Sequence, residues 1–219
     1  MPKRRNIPST ASIAHATEGD ARLHAPSAAR NVDAIIGILK EHASQSGSAL
    51  ELASGTGQHV AAFAAALPGL TWQPTEIDQS RFASISAWTT AAELVNLVPP
   101  QHLDATTAGW SEYWPDRDLI LAINVLHLIS TPDAMTLISE AAHALTSNGC
   151  LILYGPFLRN GLATSDGDAR FHASIQTSDP ELGYKNDVVI VRLLREAGLG
   201  KVEIVDMPAN NLSIIARRY

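Results

Sequence analysis

The run Glu51-Leu52-Ala53-Ser54-Gly55-Thr56-Gly57 decides how this chain is read. An acidic residue stands at the end of the apolar run Ala49, Leu50, Leu52, and a tight glycine turn follows it. Apolar residues then recur at helical spacing through Ala61, Phe63 and Ala64 to Leu67. This is a strand, a turn and a helix. The turn lets a ligand approach bare backbone, and the first turn of the helix offers N–H groups without intrahelical acceptors.

Working outward, the pattern alternates. Ile35, Ile36, Ile38 and Leu39 give an apolar face to a helix over about Ala28 to His42. Ala49 to Leu52 is the first core strand, and the helix from Gln58 to Leu67 stops at Pro68-Gly69. Leu70 to Glu76 is a second strand in which Pro74 suggests a strand end or bulge. A helix over Ser80 to Leu94 and a third strand over Val98 to Leu103, weakened by Pro99-Pro100, come next. Asp118 to Val125 has the continuous apolar character of a strand buried on both faces. Thr131 or Asp133 caps a helix reaching Leu145, which Ser147-Asn148-Gly149 ends. Cys150 to Tyr154 is the fifth strand and Asp187 to Ala197 a helix. The last two strands, Lys201 to Asp206 and Leu212 to Arg218, are joined by so short a link that they must run antiparallel. The expected fold is α/β and Rossmann-like: a seven-stranded, mostly parallel sheet with a reversed C-terminal hairpin strand. Residues 1–26 show no periodicity and read as a flexible arm; residues 27–219 read as one domain.

The ligand follows from the acids and the glycines. A dinucleotide fingerprint needs a third glycine where Val60 stands, so a nicotinamide cofactor is disfavoured. Glu76 and Asp78 fall 19 and 21 residues after Gly57, where a carboxylate accepts from ribose hydroxyls. Asp104 follows the third strand and can accept from an adenine amine while Leu103 packs on the ring. Three acids at three successive strand ends form a row along the carboxyl edge of one sheet. Glu51 would repel a pyrophosphate but attracts a cation. S-adenosylmethionine (SAM) carries an ammonium and a sulfonium and no phosphate. It is therefore the expected cofactor, with Ala53, Ser54, Gly55, Thr56, Gly57 and Asn124 also in its site. A side chain at Gly57 would fill space that the methionyl group needs.

These residues resemble the class I SAM-dependent methyltransferases over about Ala28 to Tyr219. More narrowly, the chain resembles a family of short methyltransferase-like proteins catalogued as a domain of unknown function. That likeness rests on Ala28-Ala29-Arg30-Asn31, Ala53-Ser54-Gly55-Thr56-Gly57-Gln58-His59, Leu70-Thr71-Trp72-Gln73-Pro74, Leu126-His127, Leu153-Tyr154-Gly155-Pro156-Phe157 and Met207-Pro208-Ala209-Asn210-Asn211-Leu212. The resemblance implies SAM binding and methyl transfer, with no established substrate. Ala53 departs from the class pattern, which has a glycine there. Alanine is comfortable only if the backbone angle stays negative.

Candidate chemistry lies after the fourth and fifth strands. His127 is a candidate general base with a pKa near neutral, or else a packing histidine. Tyr154 is a candidate substrate contact or core residue. The absence of an Asn-Pro-Pro-Tyr-like signature at Ile123-Asn124-Val125-Leu126 disfavours nucleobase or glutamine methylation. The long polar run from Phe157 to Asn186, with Arg159 in it, reads as a substrate cover or a surface loop with a short helix. Arg30 and Asn31 on the first helix, and Asn210 and Asn211 in the closing turn, are candidate substrate contacts with solvated or turn-forming roles as alternatives.

Composition narrows the class. A net charge of −6 over 219 residues argues against non-specific nucleic-acid or membrane binding. One cysteine, Cys150, excludes an internal disulfide and fits the cytoplasm. The start, Lys3-Arg4-Arg5 between Pro2 and Pro8, is not a secretory signal. The eight histidines show no metal-ligand spacing. The expected partner is a small-molecule substrate. The leading reading is an enzyme, and the alternative is a catalytically silent SAM-binding regulatory module.

Overall fold

A computed structural model describes residues 14–219. The basic start around Lys3 therefore lies outside the described residues. In chain order the elements are β1 (His15–Thr17), β2 (Asp20–His24), α1 (Pro26–His42), β3 (Gly47–Leu52), α2 (Gln58–Ala66), β4 (Leu70–Glu76), α3 (Phe82–Ala92), β5 (Gln101–His102), β6 (Arg117–Ile123), α4 (Thr131–Ala144), β7 (Leu145–Leu158), α5 (Asp166–Ser178), β8 (Lys185–Asn186), α6 (Asp187–Glu196), β9 (Leu199–Asp206) and β10 (Asn211–Arg218).

One sheet orders the strands β5-β4-β3-β6-β7-β10-β9, with the short β8 added beside the end of β7. The five strands from β5 to β7 are mutually parallel. β10 runs antiparallel to both β7 and β9, as the short link before it requires.

Both faces of the sheet are covered, and alternation along each strand assigns the faces. Leu50, Leu52, Ile120, Ala122, Leu151, Leu153, Leu212 and Ile214 pack with α4 and α6. Ala49, Leu119, Leu121, Ile123, Cys150, Ile152, Tyr154 and Ile215 pack with α1 and α2. Glu51 and Ser213 fall on this second face by parity, as polar positions in apolar strands. Cys150 is buried there, and burial pushes its thiol up to about 11, which makes it an inert packing residue.

Several boundaries differ from the expectation, each for a local reason. Pro74 sits inside β4, in register with Glu51. Its other side is tolerated because edge pairing skips it: Trp72 bridges Leu97, and Thr75 and Glu76 pair Gln101 and His102. The third strand is accordingly only two residues long. Neither Thr131 nor Asp133 is the cap of α4. Ser130 is, its hydroxyl accepting from the Asp133 N–H while the Asp133 carboxylate accepts from the Ser130 N–H. Residues His15–His24, read as part of an arm, form an antiparallel hairpin. The Phe157–Asn186 run contains a full helix, α5. Among the described residues, no helix is long and apolar enough to cross a membrane.

Candidate functional site

The carboxyl ends of β3, β4 and β5 are neighbours, and each presents an acid there. Glu51 is the penultimate residue of β3 and only 2% exposed. Its Oε2 has no hydrogen-bond partner. Burial, reinforced by the nearby Glu76 and opposed by the Ser54 hydroxyl, raises its pKa to about 8.

Glu76 ends β4 and is also buried. Its Oε2 accepts from the Gly55 N–H at 2.8 Å, and its Oε1 from those of Ile77 and Asp78 at 2.9 and 3.0 Å. Glu76 thus holds the glycine turn against the next loop. Asp78 is exposed, and its carboxylate accepts from the Ser80 N–H and hydroxyl, capping a single-turn helix.

Asp104 accepts from the Thr106 N–H and hydroxyl at 2.9 and 2.6 Å. With Leu103, Ile77, Trp110, Tyr113 and Trp114 it lines a cavity of about 540 Å³. That volume lies within the ordinary range for ligand pockets, roughly 300–1,000 Å³.

The glycine turn is left-handed at three positions: Ala53 (φ 54°), Gly55 (φ 60°) and Gly57 (φ 86°). Ala53 therefore does not keep the negative angle expected of it, and the L side chain is strained there by about 1–2 kcal/mol. Gly57 is the N-cap of α2 and has no side chain to cap it, and the Thr56 hydroxyl accepts from the Gln58 N–H at 3.3 Å. A Cβ on Gly57 would lie 2.7 Å from the Ile85 Cα. Packing against α3 thus excludes a side chain at Gly57 whether or not a ligand is bound. Ser54 accepts at its hydroxyl from the Thr75 N–H, and its own N–H donates to the Thr75 carbonyl. Thr56 is buried in the same turn.

Further along the rim, Asn124 takes a left-handed angle and donates its N–H to the Tyr154 carbonyl at 2.8 Å. Tyr154 is 2% exposed and its hydroxyl has no partner. The Asn31 and Asn211 side chains flank that hydroxyl without reaching hydrogen-bond geometry. They pull its pKa down, and burial, the larger effect, raises it. Ser213 lies opposite Tyr154 on β10 and is fully buried, with an unpartnered hydroxyl. Asn31 also meets His59, whose Nε2 lies 2.8 Å from its Oδ1. Sequence reasoning missed His59 and Ser213 as site residues. Ser213 carries a legible signal, a polar residue inside a run otherwise fit for a doubly covered strand.

His127 is not poised near neutrality. It is buried between Phe171 and Tyr184, with ring centroids 6.2 and 6.1 Å away. Burial and the charge of Lys185 lower its pKa to about 3. A base that weak is a poor proton acceptor at neutral pH. Arg30 is exposed on α1, while its neighbour Asn31 turns inward. Arg159, Asn210 and Asn211 do come together. Arg159 pairs with Asp206 at 2.6 Å and donates to the Asn210 and Asn211 carbonyls. Asn210 Nδ2 donates to Asp168 of α5, and Asn211 Nδ2 to the Pro208 carbonyl.

A family described as "Protein of unknown function (DUF938)" matches residues 22–218. Solved structures share the fold at low identity. An O-methyltransferase family protein from Burkholderia thailandensis gives a TM-score of 0.69 at 18% identity, over 85% of this chain and 58% of that one. Human N-acetylserotonin methyltransferase in complex with SAM gives 0.64 at 14%, over 85% and 54%. An O-methyltransferase family 2 protein from Planctomyces limnophilus in complex with apigenin gives 0.66 at 20%, over 78% and 51%. The chain spans little more than half the length of each. The shared architecture is the class I methyltransferase fold.

Proposed function

The chain belongs to the DUF938 family, and from that premise we propose that it is a SAM-dependent methyltransferase acting on a small-molecule acceptor. The observation that carries the reading is Glu51: a buried carboxylate oxygen without a partner, beside a glycine turn. Burial without a partner keeps this carboxyl protonated up to about pH 8, so ionising it near neutrality costs free energy. A ligand ammonium placed there removes that cost, whereas a pyrophosphate would add to it. The donor set fits SAM in its other parts. Beyond the Gln58 N–H that Thr56 holds, the first turn of α2 offers N–H groups to a carboxylate. Glu76 keeps acceptor capacity for ribose hydroxyls beyond the three amides it holds. Leu103 and Asp104 line a cavity with the breadth and edge polarity an adenine needs.

Bound SAM supplies a methyl group made electrophilic by the sulfonium. The chain's own residues then have three tasks: to hold the donor, to orient the acceptor and to exclude water. Orientation is worth up to about 7–11 kcal/mol in well-positioned reactions. The unpartnered hydroxyl of Tyr154, flanked by Asn31 and Asn211, and the unpartnered hydroxyl of Ser213 are assigned to the acceptor. His127 is assigned to the wall of the site rather than to proton transfer, because it stays neutral there. The run containing α5, tied by Asp168 to Asn210 and to the Tyr184 hydroxyl, is assigned as the cover.

Calorimetric titration with SAM, S-adenosylhomocysteine and NAD tests the cofactor. Binding of the two sulfur nucleosides is expected, and tight binding of NAD with no response to SAM would overturn the reading. Methyl transfer from labelled SAM to a metabolite pool separates an enzyme from a silent binding module. Tight binding with persistent inactivity would favour the module.

A further inference from the structure

The β1–β2 hairpin lies on α3, remote in sequence from the glycine turn, yet tied to it twice. The Leu23 N–H donates to the Ser84 hydroxyl at 2.8 Å, and that hydroxyl donates to the Thr56 carbonyl at 2.7 Å. The Ala25 N–H donates to Oε1 of Gln58, the first residue of α2, at 3.0 Å. Ser84 is 2% exposed, so this relay is shielded from water. The Thr56–Gly57 peptide is fixed at both ends, since the Gly57 N–H donates to the Ser54 carbonyl at 3.0 Å. A planar peptide gripped on opposite edges cannot flip. Elsewhere the turn is held by Glu76 at Gly55 and by Thr75 at Ser54, and its strained residue is the left-handed Ala53.

The hairpin's own hold is made on one face of α3. Trp88, one helical turn after Ser84, donates its Nε1 to the Leu23 carbonyl at 3.0 Å. The Arg22 guanidinium, paired with Asp20, lies 5.1 Å from the Trp88 ring, and the His24 ring meets it edge-on at 5.1 Å. On the adjacent face of the same helix, Ile85 closes on Gly57. α3 is thus a lever with the hairpin on one face and the turn on the next.

We propose that the β1–β2 hairpin clamps the glycine turn through Ser84, so that docking of the hairpin and binding of the cofactor stabilise each other. Ser84 is a positioning residue, acting through the Thr56 carbonyl. The inference rests on the SAM reading of the site. Coupling between two events is reciprocal, so each must be detectable from the other side.

The test uses the full chain and S-adenosylhomocysteine as probe. Ser84→Ala removes the relay and is expected to weaken binding about tenfold, the equivalent of one lost buried hydrogen bond. Gln58→Ala cuts the second tie without touching the buried hydroxyl and is expected to weaken binding several-fold. Amide exchange supplies a readout that a purely structural serine would leave unmoved. The Leu23 amide is expected to exchange about tenfold more slowly on saturation with the probe in the wild type, and that added protection is lost in Ser84→Ala. Wild-type affinity in both variants, or a Leu23 amide indifferent to the probe, would overturn the clamp alone. A wild-type protein that does not bind the probe would overturn the cofactor reading, and the clamp with it.

Discussion

Replacing Glu51 with glutamine isolates the group on which the cofactor reading turns. Burial without a partner for Oε2 raises the folded pKa to about 8, against an ordinary value of 4.5. Between those two values the folded protein holds a proton that the unfolded chain has released. The unfolded state binds fewer protons in that window, so stability falls as pH rises from 4.5 to 8 and levels off above it. At 1.36 kcal/mol per pKa unit the span amounts to on the order of 4–5 kcal/mol, an upper bound for one group. Glu51→Gln keeps the shape of the protonated acid and cannot ionise. It should match the wild type near pH 5, exceed its stability by several kcal/mol near pH 8, and lose this component of the pH slope. Urea unfolding followed by tryptophan fluorescence at pH 5, 6.5 and 8 reads the difference directly. A ligand ammonium gives the ionised carboxylate its partner, so saturation with SAM should flatten the wild-type slope and leave the variant's unchanged. Identical slopes in the two proteins without ligand would refute the argument, because the buried carboxyl would then not be the titrating group.

Three further outcomes follow from the same geometry. Gly57→Val places a Cβ against the Ile85 backbone at a left-handed angle; it should destabilise by about 2–4 kcal/mol and abolish cofactor binding, seen by thermal unfolding and calorimetry. Ala53→Gly relieves a left-handed alanine at φ 54° and should raise stability by a few tenths to about 1 kcal/mol, read as a higher urea midpoint. Tyr154→Phe deletes an unpartnered buried hydroxyl; stability should hold or rise by up to about 1 kcal/mol while methyl transfer falls at least tenfold, and unchanged turnover would remove Tyr154 from the acceptor site.

What the sequence disclosed and what it hid divide along the range of the forces involved. The central strands were legible because burial on both faces writes a continuous apolar run, as from Leu119 to Ile123. The glycine turn and the acids after it were legible because backbone geometry and strand ends are local. The hairpin was not, because the strands His-Ala-Thr and Asp-Ala-Arg-Leu-His are short and mostly polar, and their alternation is carried only by small or single apolar residues. They exist through Ser84 and Trp88, some sixty residues away. α5 was hidden for a different reason. Only Ile175 is buried along it, so it has almost no apolar stripe. Its start did carry a signal, Ser165 three residues before Asp168, and that cap is made. His127 marks the limit of any local reading. Its residue type suggests a base near neutrality, but its protonation is set first by burial, between Phe171 and Tyr184, and then by the charge of Lys185. The chemistry of a side chain belongs to its surroundings, and here those surroundings are assembled from chain segments more than forty residues away. For the same reason Ser213, an unremarked polar residue in an apolar strand, becomes a candidate acceptor contact once β10 sets it opposite Tyr154.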